Sequence, residues 1–127
     1  LYHYGMNLGI AFQLADDLLD YAGDPSQTGK NIGDDLREGK ITLPLLHAMK
    51  AGTPAQRDRV AEVLRQKEGD AFAEIIGIVR HTGGIEATRD AAIHHQALAQ
   101  AALAPLPASD ALNALNQMAE KAVDRQA

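Results

Sequence analysis

Leu8-Gly9-Ile10-Ala11-Phe12-Gln13-Leu14-Ala15-Asp16-Asp17-Leu18-Leu19-Asp20 is the stretch whose reading decides the fold. At 3.6 residues per turn it divides into two faces. Gln13, Asp16, Asp17 and Asp20 lie three and four residues apart and share an arc of roughly 100°. Leu8, Ala11, Leu14, Ala15, Leu18 and Leu19 cover the other side, an apolar surface that must pack on something. The spacing therefore predicts a packed helix that holds out three carboxylates together.

That arrangement carries a cost. Like charges at i and i+4, here Asp16 and Asp20, destabilise a helix by roughly 0.2–0.5 kcal/mol. Tyr21-Ala22-Gly23-Asp24-Pro25 reads as a helix end, with a Gly cap and a Pro stop. The aspartates thus sit in the last turns, where the helix dipole disfavours negative charge. A divalent cation is the natural compensator. Oxygen ligands that leave room for waters and phosphates suit magnesium.

Outward from this helix, composition points to an all-α chain. Hydrophobic residues make up 46% of the 127 positions, with Ala and Leu dominant and no Trp, and long β-branched runs are missing. The absence of Cys rules out disulfides and thiolate metal sites and is compatible with a reducing, cytoplasmic location. A formal charge of −5, with no Lys/Arg cluster, argues against nucleic acid as a partner. No apolar run approaches the roughly 20 residues needed to span a bilayer. The chain starts with helix-like Leu1-Tyr2-His3-Tyr4 rather than Met, shows nothing like a signal peptide, and reads as a piece of something longer.

About six helices are expected in a single domain. The first runs to about Tyr21. A Gly/Pro/Ser-containing loop follows from Asp24 to Gly33, and Asp34 to Glu38 is read as a short helical turn. Thr42 is expected to N-cap a helix over Leu43 to Lys50, with Pro44 in its first turn. Thr53-Pro54 repeats that signal for a helix to about Lys67, with Val60, Val63 and Leu64 inward. Asp70–His81 carries the apolar stripe Phe72, Ile75, Ile76 and Val79. Gly83-Gly84 breaks the chain before a long Ala-rich helix, Ile85 to Leu103, expected to pack within the molecule. Ser109 caps the last helix, through Ala122. Met6, Met49 and Met118 read as core filler. His3, His47 and His81 lack metal-ligand spacing, and the adjacent His94-His95 point about 100° apart on a helix, poorly placed to share one metal.

The loop after the acidic helix carries the second signal. Gly23 to Gly29-Lys30 invites a phosphate-binding P-loop. It fails, because five residues separate the glycines, Asn31 stands where Ser or Thr is needed, and no strand precedes it. A calcium loop starting at Asp20 fails as well, with Ala22 at a ligand position and Pro25 where Gly is required. What remains is Lys30 and Lys40 near three aspartates. Lysines are point cations suited to phosphate oxygens, and aspartates reach the same oxygens through magnesium. The combination points to a diphosphate site.

Phe12-Gln13-x-x-Asp16-Asp17-x-x-Asp20, then Gly29-Lys30-x-x-Gly33-x-Asp35-Leu36 and Glu38-Gly39-Lys40-x-Thr42-Leu43-Pro44, resemble the second aspartate-rich region of the trans-isoprenyl diphosphate synthases. Within that family the run is most similar to long-chain, octaprenyl-type enzymes. The specific match covers about Gly5 to Gly52, and Gly83 to Arg89 is consistent with the family's later helices. The resemblance implies the C-terminal helices of an isoprenoid synthase-type bundle. It implies that Asp16, Asp17 and Asp20 bind magnesium bridging to an allylic diphosphate, that Lys30 and Lys40 hold that diphosphate, and that Gln13 contacts the allylic substrate. Phe12 would line the prenyl channel or brace the motif, while Asp35 and Thr42 shape the loop and cap the next helix.

In such synthases the allylic carbon–oxygen bond ionises, and magnesium and lysines stabilise the leaving diphosphate. Isopentenyl diphosphate then attacks the cation and a proton is lost. No side-chain nucleophile is needed, so the lack of a Ser/His/Asp or Cys/His constellation does not oppose the reading. The family's first Asp-Asp-x-x-Asp region and its isopentenyl-diphosphate residues are absent. The expectation is half an active site, inactive alone and prone to self-association through exposed apolar surface, in an enzyme that is a homo-oligomer when full length. The alternative is a non-catalytic helical regulatory or assembly subunit of the same fold.

Overall fold

The structure, a computed structural model, describes residues 1–22, 40–66 and 71–123, and for Asp20, Ala22 and Phe72 it describes the backbone alone. The expected short turn at 34–38, the loop from 24 to 33 with Lys30, Asp35 and the Phe72 side chain lie outside the described residues. Six helices occur among those described: α1 (Tyr2–Ala22), α2 (Leu43–Ala51), α3 (Pro54–Gln66), α4 (Phe72–His81), α5 (Gly84–Ala102) and α6 (Asp110–Val123). No strand is found among these residues. The all-α expectation holds, and each helix lies within about two residues of its expected span.

Helix α1 packs chiefly on α5, and the two run antiparallel. The start of α1 meets the end of α5 in a cluster of Tyr4, Ala99, Leu103 and Ala119. The end of α1 meets the start of α5 in a larger cluster of Leu18, Tyr21, Leu45, Ala48, Val60, Val63, Ile75, Val79 and Ile85. Between them the contact surface is made of small side chains. Ala11, Ala15, Thr88 and Ala92 are fully buried, which lets two helix backbones approach closely. The Ala-rich α5 therefore does pack within the molecule.

The apolar face assigned to α1 is the buried one. Ala11, Ala15, Leu18 and Leu19 are buried, and Leu8 and Leu14 are partly so. Polar ties fix the assembly at its first end. Tyr4 Oη donates to the Leu115 carbonyl at 2.9 Å, and Gln96 Nε2 donates to the Ala119 and Glu120 carbonyls at 2.9 and 3.0 Å. His95 Nδ1 donates to Asn7 Oδ1 at 2.8 Å, since an amide oxygen can only accept. His95 is thus a packing residue between α5 and α1.

The helix starts show how local chemistry behaves. Thr53 and Gln56 form a reciprocal capping box: Gln56 N donates to Thr53 Oγ1 at 3.1 Å and Thr53 N donates to Gln56 Oε1 at 2.9 Å. Ser109 Oγ accepts from Leu112 N at 3.0 Å, as expected. Thr42 takes the N-cap backbone geometry but makes no side-chain cap bond, and its hydroxyl is buried without a partner among the described residues. Pro44, at the second helical position, has no N–H to offer, and the N–H of the third position, the one that Thr53 and Ser109 bond in their own helices, is not bonded by Thr42.

The break at glycine is as expected, and two of the methionines are not. Gly83 is left-handed, with φ +84°, which turns the chain from α4 into α5. Met6 and Met118 are 45% and 54% exposed, not core filler, because they lie on faces of α1 and α6 that no described element covers. Met49 alone packs against the larger cluster.

Candidate functional site

The polar face of α1 is built at its carbonyl end. Asp17 is only 6% exposed, and its Oδ1 accepts a 2.9 Å hydrogen bond from Gln13 Nε2, one turn earlier. This i,i+4 bond holds the carboxylate in place and offsets part of the cost of burying it. Asp16 is half-buried beside it. Phe12 is 48% exposed and lines an apolar groove of about 390 Å³ with Leu8, Met118, Lys121 and Ala122. Lys40 is exposed at the start of the segment leading into α2. The structure thus joins Gln13 to Asp17 and sets Phe12 and Asp16 on neighbouring turns of the same helix. The Asp20 side chain and all of Lys30 lie outside the described residues. Among the described residues no group of three metal-ligating side chains forms.

The end of α1 has a partner that no local pattern announces. α1 has no basic residue in its last turn. Arg80, in the last turn of α4, reaches across and donates twice to the Tyr21 carbonyl, from Nε at 3.0 Å and from Nη2 at 2.7 Å. The Tyr21 side chain is fully buried in the larger cluster. The last turn of the aspartate helix is therefore held by its ring below and by a guanidinium at its backbone.

The polar side chains of this face are oxygen donors. Carboxylate oxygens and an amide are present, and neither sulfur nor imidazole is close in sequence. A sequence profile for polyprenyl synthetases matches residues 1–79. The chain belongs to the polyprenyl synthetase family. Its similarity runs over nearly the whole chain: it is 47% identical over 126 residues to the octaprenyl diphosphate synthase of Escherichia coli (strain K12), covering 98% of this chain and 39% of that protein. A short chain isoprenyl diphosphate synthase of Methanothermobacter thermautotrophicus is 34% identical over 123 residues, covering 97% and 38%. A crystal structure of polyprenyl synthase from Caulobacter crescentus CB15, complexed with calcium and isoprenyl diphosphate, superposes with a TM-score of 0.89 at 44% identity, covering 98% of this chain and 38% of that one. This polyprenyl synthetase chain spans about two-fifths of the length of the relatives it matches.

The names of those relatives include both octaprenyl and short-chain synthases, so the family membership by itself selects no product length. No helix among the described residues is long and apolar enough to cross a membrane.

Proposed function

We propose that this chain is the second aspartate-rich portion, a single helical domain within a larger synthase domain, of a cytoplasmic long-chain polyprenyl diphosphate synthase of octaprenyl type, a homo-oligomer when full length. The proposed reaction adds isopentenyl diphosphate to an allylic prenyl diphosphate. The observation that carries the reading is Asp17: a nearly buried carboxylate, braced by Gln13, beside Asp16 at the dipole-disfavoured end of α1. A helix that served packing alone would gain nothing from so unfavourable a placement.

Asp16, Asp17 and Asp20 would hold magnesium, which when bound supplies positive charge to the leaving diphosphate. Lys30 and Lys40 hold the same diphosphate directly as point charges. Gln13 keeps Asp17 oriented, and Phe12 presents an apolar ring to the prenyl chain on the neighbouring turn. Each residue contributes position and charge, which is how electrostatic catalysis works in the absence of a nucleophile.

Calorimetric titration with a non-hydrolysable allylic diphosphate analogue, with and without magnesium, tests this reading beside an Asp16→Asn/Asp20→Asn variant. Magnesium-dependent heat that disappears in the variant is expected. Equal heat in both chains would refute the role of the aspartate face. The chain by itself is expected to give no prenyl transfer product, and a positive assay would overturn the half-site reading.

A further inference from the structure

We infer that Arg80 is a positioning residue for the metal-binding face of α1, acting as the protein's own cation at the carbonyl end of that helix. The inference rests on the reading of Asp16, Asp17 and Asp20 as metal ligands, and adds to it a residue from a distant helix.

The last four carbonyls of a helix have no intrahelical partner, and their summed dipole is negative. α1 adds Asp16, Asp17 and Asp20 to that negative end and supplies no basic residue of its own in the last turn. A frayed last turn would relieve the repulsion, and fraying is the movement a metal site cannot tolerate. Ligands three and four residues apart converge on one ion only while the helical spacing is kept.

Arg80 opposes that fraying. Both of its bonds end on one backbone oxygen, Tyr21 O, one residue after Asp20, so the clamp closes the turn that carries Asp20 and follows Asp16 and Asp17. Arg80 also sits in the last turn of α4, so its charge belongs to the carbonyl end of one helix while its donors reach the carbonyl end of another. No ion pair with a carboxylate takes up its charge among the described residues; Arg59 is the arginine that pairs, with Glu62 and Glu74. The charge of Arg80 therefore remains available to the α1 terminus.

Two effects of removing Arg80 oppose each other. Loss of a cation near carboxylates favours metal binding, and loss of the clamp disfavours it. The donors point at the backbone and not at the carboxylates, and Arg80 is on the solvent side of the bundle, where charge–charge effects are strongly screened. A charge-assisted hydrogen bond is directional and short-ranged, so it escapes most of that screening and outweighs the lost charge. Metal affinity is therefore expected to fall.

The test uses Mn2+ as the probe, with inorganic pyrophosphate present, and reads free Mn2+ by electron paramagnetic resonance. Thermal midpoints are recorded on the same samples. Arg80→Gln is expected to weaken Mn2+ binding roughly tenfold, which is about 1.4 kcal/mol. Arg80→Lys, which keeps the charge with one bond in place of two, is expected to lose about threefold. A purely structural role would lower the thermal midpoint and leave the Mn2+ affinity unchanged. Affinity within twofold of the wild type, or tighter binding, in Arg80→Gln overturns the proposal. If that variant loses its helical circular dichroism, wild-type affinity in Arg80→Lys overturns it instead. An Asp16→Asn/Asp17→Asn chain separates the metal face from its support. Wild-type binding no stronger than that of this chain refutes the metal-face reading itself, whereas a loss there with no loss in the Arg80 variants refutes the positioning role alone.

Discussion

Gly84 gives the sharpest quantitative test of how α5 is seated. It is the first residue of α5 and is buried against α2 and α4. A Cβ added there would lie 2.5 Å from the Pro44 carbonyl oxygen, 3.0 Å from Val79 Cγ1 and 3.2 Å from the Val79 carbonyl oxygen. Two of these atoms are backbone inside packed helices, so the clash cannot be relieved by turning a rotamer. Overpacking of this kind costs roughly 1–3 kcal/mol. Against it stands the gain in helix propensity from Gly to Ala, at most about 1 kcal/mol and smaller at a first helical position. The steric clash wins, and Gly84→Ala is expected to lose roughly 1–2 kcal/mol. For a chain of this size each kcal/mol moves the thermal midpoint by roughly 3–5 °C, so a fall of roughly 3–10 °C is expected. Urea melts followed by circular dichroism should show a lower midpoint with an unchanged slope. Gly77 in α4 is the internal control, because a Cβ there meets nothing within 4 Å. Gly77→Ala is expected to gain roughly 0.5–1 kcal/mol. A midpoint for Gly84→Ala at or above the wild type, with Gly77→Ala behaving as expected, would refute the close approach of α5 to Pro44.

Two other expectations concern α1 and its neighbours. Burial raises the Tyr4 phenol above its ordinary value of 10.0, so the native state keeps its proton at a pH where the unfolded chain has released it. Stability from this group is present below about pH 10 and is lost as pH rises beyond it. Tyr4→Phe should cost about 1 kcal/mol at neutral pH through the lost bond to Leu115 and should flatten the alkaline decline; an equally steep decline in urea melts between about pH 7.5 and about pH 10.5 would count against it. Phe12 and Met118 are exposed and line one apolar groove, so the isolated chain should self-associate. Phe12→Ser/Met118→Ser should lower the weight-average mass in sedimentation equilibrium without lowering the thermal midpoint, and an unchanged mass would place the association elsewhere.

The helices were legible because each has its own local signal. The apolar stripe of α1 predicted the face that is buried, and Thr53 and Ser109 predicted caps that form with the expected bonds. Thr42 shows the limit of such signals. Thr42-Leu43-Pro44 and Thr53-Pro54 look alike as start motifs, yet Thr53 has Gln56 three residues on to complete a reciprocal capping box, where Thr42 has Leu45. Met6 and Met118 show a different limit. Hydrophobicity alone says that a side chain favours burial, and not whether a neighbouring element exists to bury it.

The acidic end of α1 shows most clearly what sequence order conceals. From the sequence, three aspartates on one face call for a compensating charge, and a metal ion is the local solution. The support that the structure displays at the backbone of that helix end comes from Arg80, 59 positions beyond the Tyr21 carbonyl that it holds. In its own helix Arg80 looks like an ordinary cation at a C-terminal turn. Only the packing of Tyr21, Ile75 and Val79 into one cluster brings the carbonyl ends of α1 and α4 together. The fold thereby brings the guanidinium of one helix to the backbone end of another, and the last turn of α1, which carries Asp20, is held by it.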